Sequence, residues 1–403
     1  MITAFASILR ARVSRRVAII AAAVLLLEAP ALGLRFQARP AAVSPEVLKR
    51  RLQAAFDSLH AAGQFPGGTA GFVLADGTSF GIAAGFADPA AEIPMTPASR
   101  MLIGSVGKTY VAAVALQLVQ EKRLALGDPI ERWLGSADWF ARLPNGPGIT
   151  VRMLMNHTSG LERYEFNDRF TADLTKQPDR TWRPEELVGY ILDRKPPFSA
   201  GNGWSYSDTN YIVLGMIIER ITGSPYYDEM RRRILVPFKL KDTVPSDSRE
   251  IPGLVQGFAG PNNPFGGVDA MIANGKFAVN PQFEWTGGGL ASTSLDLARW
   301  AKVLYEGRAF NKTILSEMLK GVPARLGPET SYGLGVIIRP TSLGPTYGHS
   351  GFFPGYLTEM AYFPALRAAI AVQINTSVPA ATGKPLARFL TDFAAIIAGK
   401  PAG

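Results

Sequence analysis

Apolar positions at helical spacing mark the first element. Leu48, Leu52, Ala55, Phe56 and Leu59 recur every three or four residues behind Ser44-Pro45-Glu46. That triplet supplies an N-cap, a proline at the first helical position and an acid at the positive end of the helix dipole. The pattern predicts an amphipathic helix over 45–62. The stretch TAGFVLADGTSFGIAAGFAD (69–88) then reads as two strands around an Asp76-Gly77 turn. Residues 105–122 lack proline and are rich in Ala, Val and Leu, which predicts a helix. RPEELVGYILDR (183–194) and NYIVLGMIIERITG (210–223) predict two more, the second apolar enough to be buried and closed by Gly223. Glycine, proline and asparagine crowd residues 250–285 into a long irregular loop. Strand patterns return at 331–339, 345–350, 356–363 and 367–375, before a last helix at about 381–398.

Strands at both ends with helices between them predict an α+β fold. Its sheet subdomain takes residues 44–104 and about 286–403. A mostly helical subdomain over about 105–285 is inserted between them. At 403 residues and 47% hydrophobic, the chain has ample material for a buried core.

Charge adds a different kind of information. The net charge is +9, but residues 1–43 carry six arginines against the single acid Glu28, so +5 of it is local. No basic cluster with interleaved aromatics marks a nucleic-acid groove, so no nucleic-acid partner is expected. Residues 1–43 instead have a basic stretch ending at Arg15-Arg16, an apolar run Val17–Leu27 and a Pro/Ala-rich continuation. These are the parts of an export signal. The expectation is a signal peptide and linker that sends the protein to the periplasm or outside the cell. An uncleaved anchor, with inner-membrane attachment through residues 17–34, is the alternative. The apolar run falls short of the ~20 residues that span a bilayer.

Cysteine is absent, which removes disulfides, thiolate metal sites and a cysteine nucleophile. The three histidines, His60, His157 and His349, are too scattered to suggest a metal cluster, so neither metal nor cofactor is expected. One motif carries chemistry. Ser105-Val106-Gly107-Lys108 puts a serine and a lysine three apart, on one face of a helix that begins at the serine. Free N–H groups at such a helix start favour an alkoxide and an oxyanion. Apolar neighbours on both sides would lower the lysine's pKa by desolvation and make it a usable base. The bland alternative is a serine cap followed by a solvated lysine.

Two further stretches change the weighing: Tyr206-Ser207-Asp208, just before an apolar helix, and His349-Ser350-Gly351, at the end of a predicted strand. With these the chain resembles the serine hydrolases that include class C β-lactamases, D-alanyl-D-alanine carboxypeptidases, D-aminopeptidases and S-x-x-K esterases. That family carries S-x-x-K, then Y-x-N, then K-T-G or H-x-G. ITVRMLMNHTSGL (149–161), GGGLASTSLDLARWAKVL (287–304) and SYGLGV (331–336) are also similar to it. The resemblance runs from about residue 48 to 376. It implies a mostly antiparallel five-stranded sheet flanked by helices, and an acyl-enzyme on Ser105. Lys108 and Tyr206 would share the proton transfers. Backbone N–H groups of Ser105 and Phe352 would form the oxyanion hole, and Ser350 would meet a substrate carboxylate. Gly351 completes the strand motif beside the substrate.

Two positions depart from the family pattern. Asp208 stands where asparagine is usual, and a carboxylate only accepts hydrogen bonds. Near Lys108 it favours the ammonium, which makes Tyr206 the main base. Asp208 as a binder of a substrate ammonium, or as a structural helix cap, are the competing readings. His349, largely neutral at pH 7, replaces the lysine of efficient class C β-lactamases. Both departures favour a carboxypeptidase, D-aminopeptidase or esterase over a β-lactamase. The expected partner is a small-molecule or short-peptide substrate: peptidoglycan-derived, an ester or a β-lactam. A catalytically silent, penicillin-binding-like scaffold is the reading from another class. His157 and Ser159 in NHTSG read as a structural loop. Trp204, Phe352, Phe353 and Tyr356 divide evenly between pocket lining and core.

Overall fold

Ser44 caps the first helix as its sequence predicts: its Oγ accepts from the Val47 N–H at 3.4 Å. The computed structural model describes residues 44–400, apart from 262, 267 and 268. The segment behind the export reading, 1–43, lies outside the described residues. Helix α1 is Pro45–Ala62. Strands β1 (Gly67–Val73) and β2 (Ser79–Asp88) form the expected hairpin, in which Gly77 takes φ +92°. Then come α2 (Lys108–Gln120), α3 (Thr209–Thr222) and α4 (Ser294–Tyr305). The chain closes with β3 (Thr346–Phe353), β4 (Tyr356–Phe363), β5 (Ala368–Ile374) and α5 (Leu386–Ile397).

The main sheet is antiparallel and larger than expected. The five long strands lie in the order β2-β1-β5-β4-β3. Four short strands extend it: Ile93–Pro94 beside β2, then Ile337–Arg339, Ser331–Tyr332 and Val322–Pro323 beyond β3. The single strand expected over 331–339 is therefore a tight hairpin. Gly335, at φ +74°, sits where a Cβ would come within 2.5 Å of the Ala112 side chain, so the chain turns against α2.

Side chains alternate across the sheet with the period of two that strands impose. On one face Ala70, Phe72, Ile370, Val372 and Ile374 pack with Leu52 and Phe56 of α1 and Phe389, Leu390 and Phe393 of α5. On the other face small residues let α4 approach: a Cβ on Gly71 would lie 2.2 Å from the Ser294 carbonyl oxygen. A large apolar core fills the space between this face and the helical residues. α3 is buried along most of its length and ends at Gly223, φ +71°, as its sequence predicts.

Three helices are shorter than their patterns suggest. The helix expected at 183–194 ends at Gly189, where Asn167 Nδ2 donates to the Tyr190 carbonyl. The final helix starts at Leu386 because Gly383, at φ +67°, and Pro385 separate it from a 3-10 turn at 379–382. Residues 104–107 form a 3-10 turn ahead of α2, so Ser105 precedes the α-helix rather than beginning it.

Candidate active site

Ser105 sits on that turn, where three backbone stretches meet without side chains between them. Gly104 has φ +49°, and a Cβ there would lie 2.4 Å from the Phe352 carbonyl oxygen. A Cβ on Gly351 would lie 1.9 Å from the Ile103 carbonyl oxygen. A Cβ on Gly107 would lie 2.9 Å from the Gly288 backbone. Glycine at these positions is what lets β3 lie against the serine's turn.

Lys108 follows on the first turn of α2 and is fully buried. Its Nζ donates to Ser105 Oγ at 3.1 Å, to Asp208 Oδ1 and to the Gly287 carbonyl oxygen. An ammonium has three donors, and all three are used. Burial opposes its charge, but the Asp208 carboxylate, with smaller pulls from Tyr206 and Glu284, holds its pKa above the ordinary lysine range. Desolvation alone would favour a neutral lysine, but the counter-charge outweighs the burial.

Asp208 is 3% exposed and faces two cations. Oδ1 meets Lys108, and Oδ2 lies 2.8 Å from Arg163 Nη2. Burial would raise its pKa, but the two cations keep it below the usual carboxylate range. Each oxygen already faces a cation, so the carboxylate is neutralised without a substrate ammonium. Its side chain makes no capping hydrogen bond to α3 either. Asp208 is instead the counter-ion of Lys108 and Arg163.

The segment ahead of α3 is pinned by Ser207 and Thr209, whose hydroxyls both donate to the Glu162 carbonyl. This sets the Tyr206 ring 5.0 Å beneath Lys108 Nζ and 4.2 Å from the His157 ring. The phenol oxygen is buried, with Ser105 and Lys108 as polar neighbours. Burial pushes its pKa up to about 12 against the pull of Lys108.

His349, on β3, is buried with both ring nitrogens engaged. Nδ1 lies 2.7 Å from the Ser350 carbonyl and Nε2 lies 2.8 Å from Tyr332 Oη. A carbonyl only accepts, so Nδ1 carries the proton and Tyr332 donates to Nε2. Burial, then Lys108, lowers its pKa to about 3, so it is neutral at pH 7. Ser350 Oγ accepts from Arg339 Nη2 at 2.7 Å, and Arg339 also pairs with Glu359.

His157 and Ser159 do not form a pair. His157 Nδ1 accepts from the Ser207 N–H and Asn210 Nδ2, while Ser159 donates to Asn210 Oδ1. Both are buried, and they support the loop that carries Tyr206.

Ser105, Tyr206, Asp208 and His349–Phe352 line one cavity of about 1410 Å³. Its walls are largely apolar, with Phe166, Phe170, Phe265, Phe283 and Leu357 among them. Phe352 is 55% exposed there, whereas Phe353 and Tyr356 belong to the core. Trp204 packs outside it, against Tyr332. Sequence reasoning missed Arg163, Glu165, Glu284 and Arg339, which also line this cavity. Arg163 and Glu165 lie beside and in the 3-10 turn Tyr164–Phe166, which has no local sequence signal, and Glu284 lies three residues before the Gly287-Gly288-Gly289 run, the one local signal near it.

The chain matches the Beta-lactamase family model over residues 52–395. It is 26% identical over 333 residues to penicillin-binding protein 4* of Bacillus subtilis, covering 77% of this chain and 68% of that protein. It is 26% identical over 309 residues to esterase EstB of Burkholderia gladioli, covering 67% and 78%. A D-aminopeptidase of Cereibacter sphaeroides is 26% identical over 327 residues; the match covers 80% of this chain but 59% of that protein. Among solved structures, the D-amino acid amidase of Ochrobactrum anthropi superimposes with a TM-score of 0.75 at 25% identity, over 87% of this chain and 99% of that one. A D-stereospecific amidohydrolase from Streptomyces sp. gives a TM-score of 0.70 at 29% identity, over 81% and 94%. A family match across this span, with relatives that include peptidases, an esterase and amidases, makes the chain a serine hydrolase belonging to the Beta-lactamase family.

Proposed function

We propose that Ser105 is the acylated nucleophile of an exported hydrolase that cleaves an amide or ester bond in a small molecule or short peptide. The observation that carries this reading is the buried Lys108 ammonium, 3.1 Å from Ser105 Oγ and stacked over Tyr206. When the Lys108–Tyr206 pair loses a proton, it leaves the phenol, because the lysine is held the more strongly basic of the two. The working base is a phenolate beside an ammonium. It takes the Ser105 proton as Oγ bonds to the substrate carbonyl carbon. Backbone N–H groups of Ser105 and Phe352 receive the oxyanion. Tyr206 returns the proton to the departing amine or alcohol, leaving an ester on Ser105. Water, deprotonated by the same phenolate, then attacks, and the acid leaves with Ser105 reprotonated. Neutral His349 and the pairing of Arg339 with Glu359 leave little net attraction for a β-lactam carboxylate, which favours peptidase, amidase or esterase substrates. The basic and apolar residues 1–43 support export.

The test is covalent labelling with a fluorophosphonate and a fluorescent penicillin. A turnover panel follows: a cephalosporin, an aryl ester, a D-Ala-D-Ala peptide and a D-amino-acid amide. An adduct on Ser105 that is absent in Ser105→Ala, with ester or amide turnover ahead of the cephalosporin, is expected. Absence of any adduct or turnover would favour a silent scaffold.

A further inference from the structure

Of the site's acids, Asp208, Glu165 and Glu359 each pair with a lysine or an arginine, and Glu284 does not. Among the described residues, Glu284 makes no hydrogen bond and no ion pair through its carboxylate. It borders the same cavity as Ser105 and Tyr206. It ends the 3-10 turn Pro281–Glu284, and that turn is held rigidly. Asn280 Oδ1 accepts from the Gln282 N–H, Gln282 Oε1 accepts from the Trp182 N–H, and Tyr164 donates to the Phe283 carbonyl.

A second feature makes room for the carboxylate. A Cβ on Gly288 would lie 2.5 Å from Glu284 Oε2 and 2.5 Å from the Gly104 carbonyl oxygen. The acid therefore lies over a bare glycine, against the turn that carries Ser105. A partly buried carboxylate without a partner is costly. Asp208, Arg163 and Glu165 are committed to one another, so no side chain of this cluster is free to neutralise it. A cation arriving with the substrate would.

We infer that Glu284 is the subsite for an ammonium beside the scissile carbonyl, so the substrate is the amide or ester of an amino acid or peptide with a free amine. This rests on the hydrolase reading above and narrows its substrate class. It also reassigns the ammonium role from Asp208 to an acid that sequence reasoning did not single out.

Burial and the Asp208 charge push the pKa of Glu284 up to about 7, against Lys108 and Arg163. The other groups facing it are Tyr164 and Tyr227, whose pKa values burial raises well above the ordinary phenol range. Glu165, next to Asp208, is raised by burial and by that carboxylate. Glu284 is ionised above about 7, and an α-ammonium persists below roughly 8. KM for such a substrate should therefore be lowest between those limits.

The experiment compares the p-nitroanilide of D-phenylalanine with its N-acetyl derivative on the full chain and on Glu284→Gln. The wild type should prefer the free amine by about tenfold or more, the scale of a charged hydrogen bond. Glu284→Gln should erase that preference while keeping turnover of the N-acetyl substrate, which also reports that the variant folds. Wild-type preference for the N-acetyl substrate overturns the inference and leaves the hydrolase intact. An equal loss on both substrates in Glu284→Gln also overturns it, since that marks a group acting in proton transfer. Turnover of neither substrate, with no adduct on Ser105, overturns both readings.

Discussion

Lys108 spends its three donors on Ser105, Asp208 and Gly287, so its role is that of a fixed positive charge. That has a consequence for the pH profile. With Tyr206 at about 12, the phenolate fraction grows tenfold per unit of pH below that value. For an N-acetylated amide, log kcat/KM should climb with a slope approaching one between about pH 8 and 10. Tyr206→Phe should flatten the slope and lower kcat by roughly 10²–10⁴-fold. A flat wild-type profile would remove Tyr206 as the base. Asp208 carries a stability consequence. Its folded pKa lies below its unfolded value, so its contribution is complete above about pH 4 and is lost as pH falls toward the folded value. Asp208→Asn leaves the buried Lys108 without its counter-ion and Arg163 with Glu165 alone, and should cost about 3–5 kcal/mol at pH 7. The gap in Tm from the wild type should narrow below about pH 4. A gap that does not change with pH would mean Asp208 acts by packing alone.

At the scale of elements, the site exists because β3 touches the serine's turn. Gly351 and Gly104 permit that contact, and an added methyl at 351 meets the Ile103 carbonyl at once. Gly351→Ala should push β3 away, lower kcat about 10²-fold and lower Tm. Gly189, at the end of a short helix, has open space around its Cβ position. Gly189→Ala should leave kcat alone and raise stability slightly, by up to about 1 kcal/mol. Equal behaviour of the two variants in an activity and melting assay would separate the site from this contact. The same contact marks where reading the sequence stopped short. The amphipathic helix at 45–62 and the Asp76-Gly77 hairpin were legible because their signals are local. The Ser331–Arg339 hairpin was not, since Leu334 and Gly335 are held by Met318 and Met155, residues distant in the chain.

Across the whole molecule, the sheet divides labour between its faces. One face, covered by α1 and α5, holds stability; the other supports the helical part and the cavity. Phe393→Ala, in the outer core, should cost about 3–5 kcal/mol with little change in kcat. Phe352→Ala, at the exposed cavity wall, should leave Tm unchanged and raise KM for substrates with bulky apolar groups. If both variants changed Tm alone, Phe352 would be structural and the cavity wall would not bind substrate.

By itself the sequence determined the helix and strand patterns and the α+β class, and its resemblance to a family pointed to the proposed trio Ser105, Lys108 and Tyr206. It did so because periodicity and short motifs are properties of neighbours in the chain. It also exposed Asp208 and His349 as departures, since each is a single position read against a pattern. Only the tertiary structure supplied the partners that hold their charge states. Asp208 acquires Arg163 from a loop 45 residues away as a second cation, His349 acquires Tyr332 as a donor, and Lys108 stays charged although buried. Only the tertiary structure, too, left Glu284 unpaired beside Ser105. Electrostatic balance depends on distance and burial, and neither is written in the order of residues.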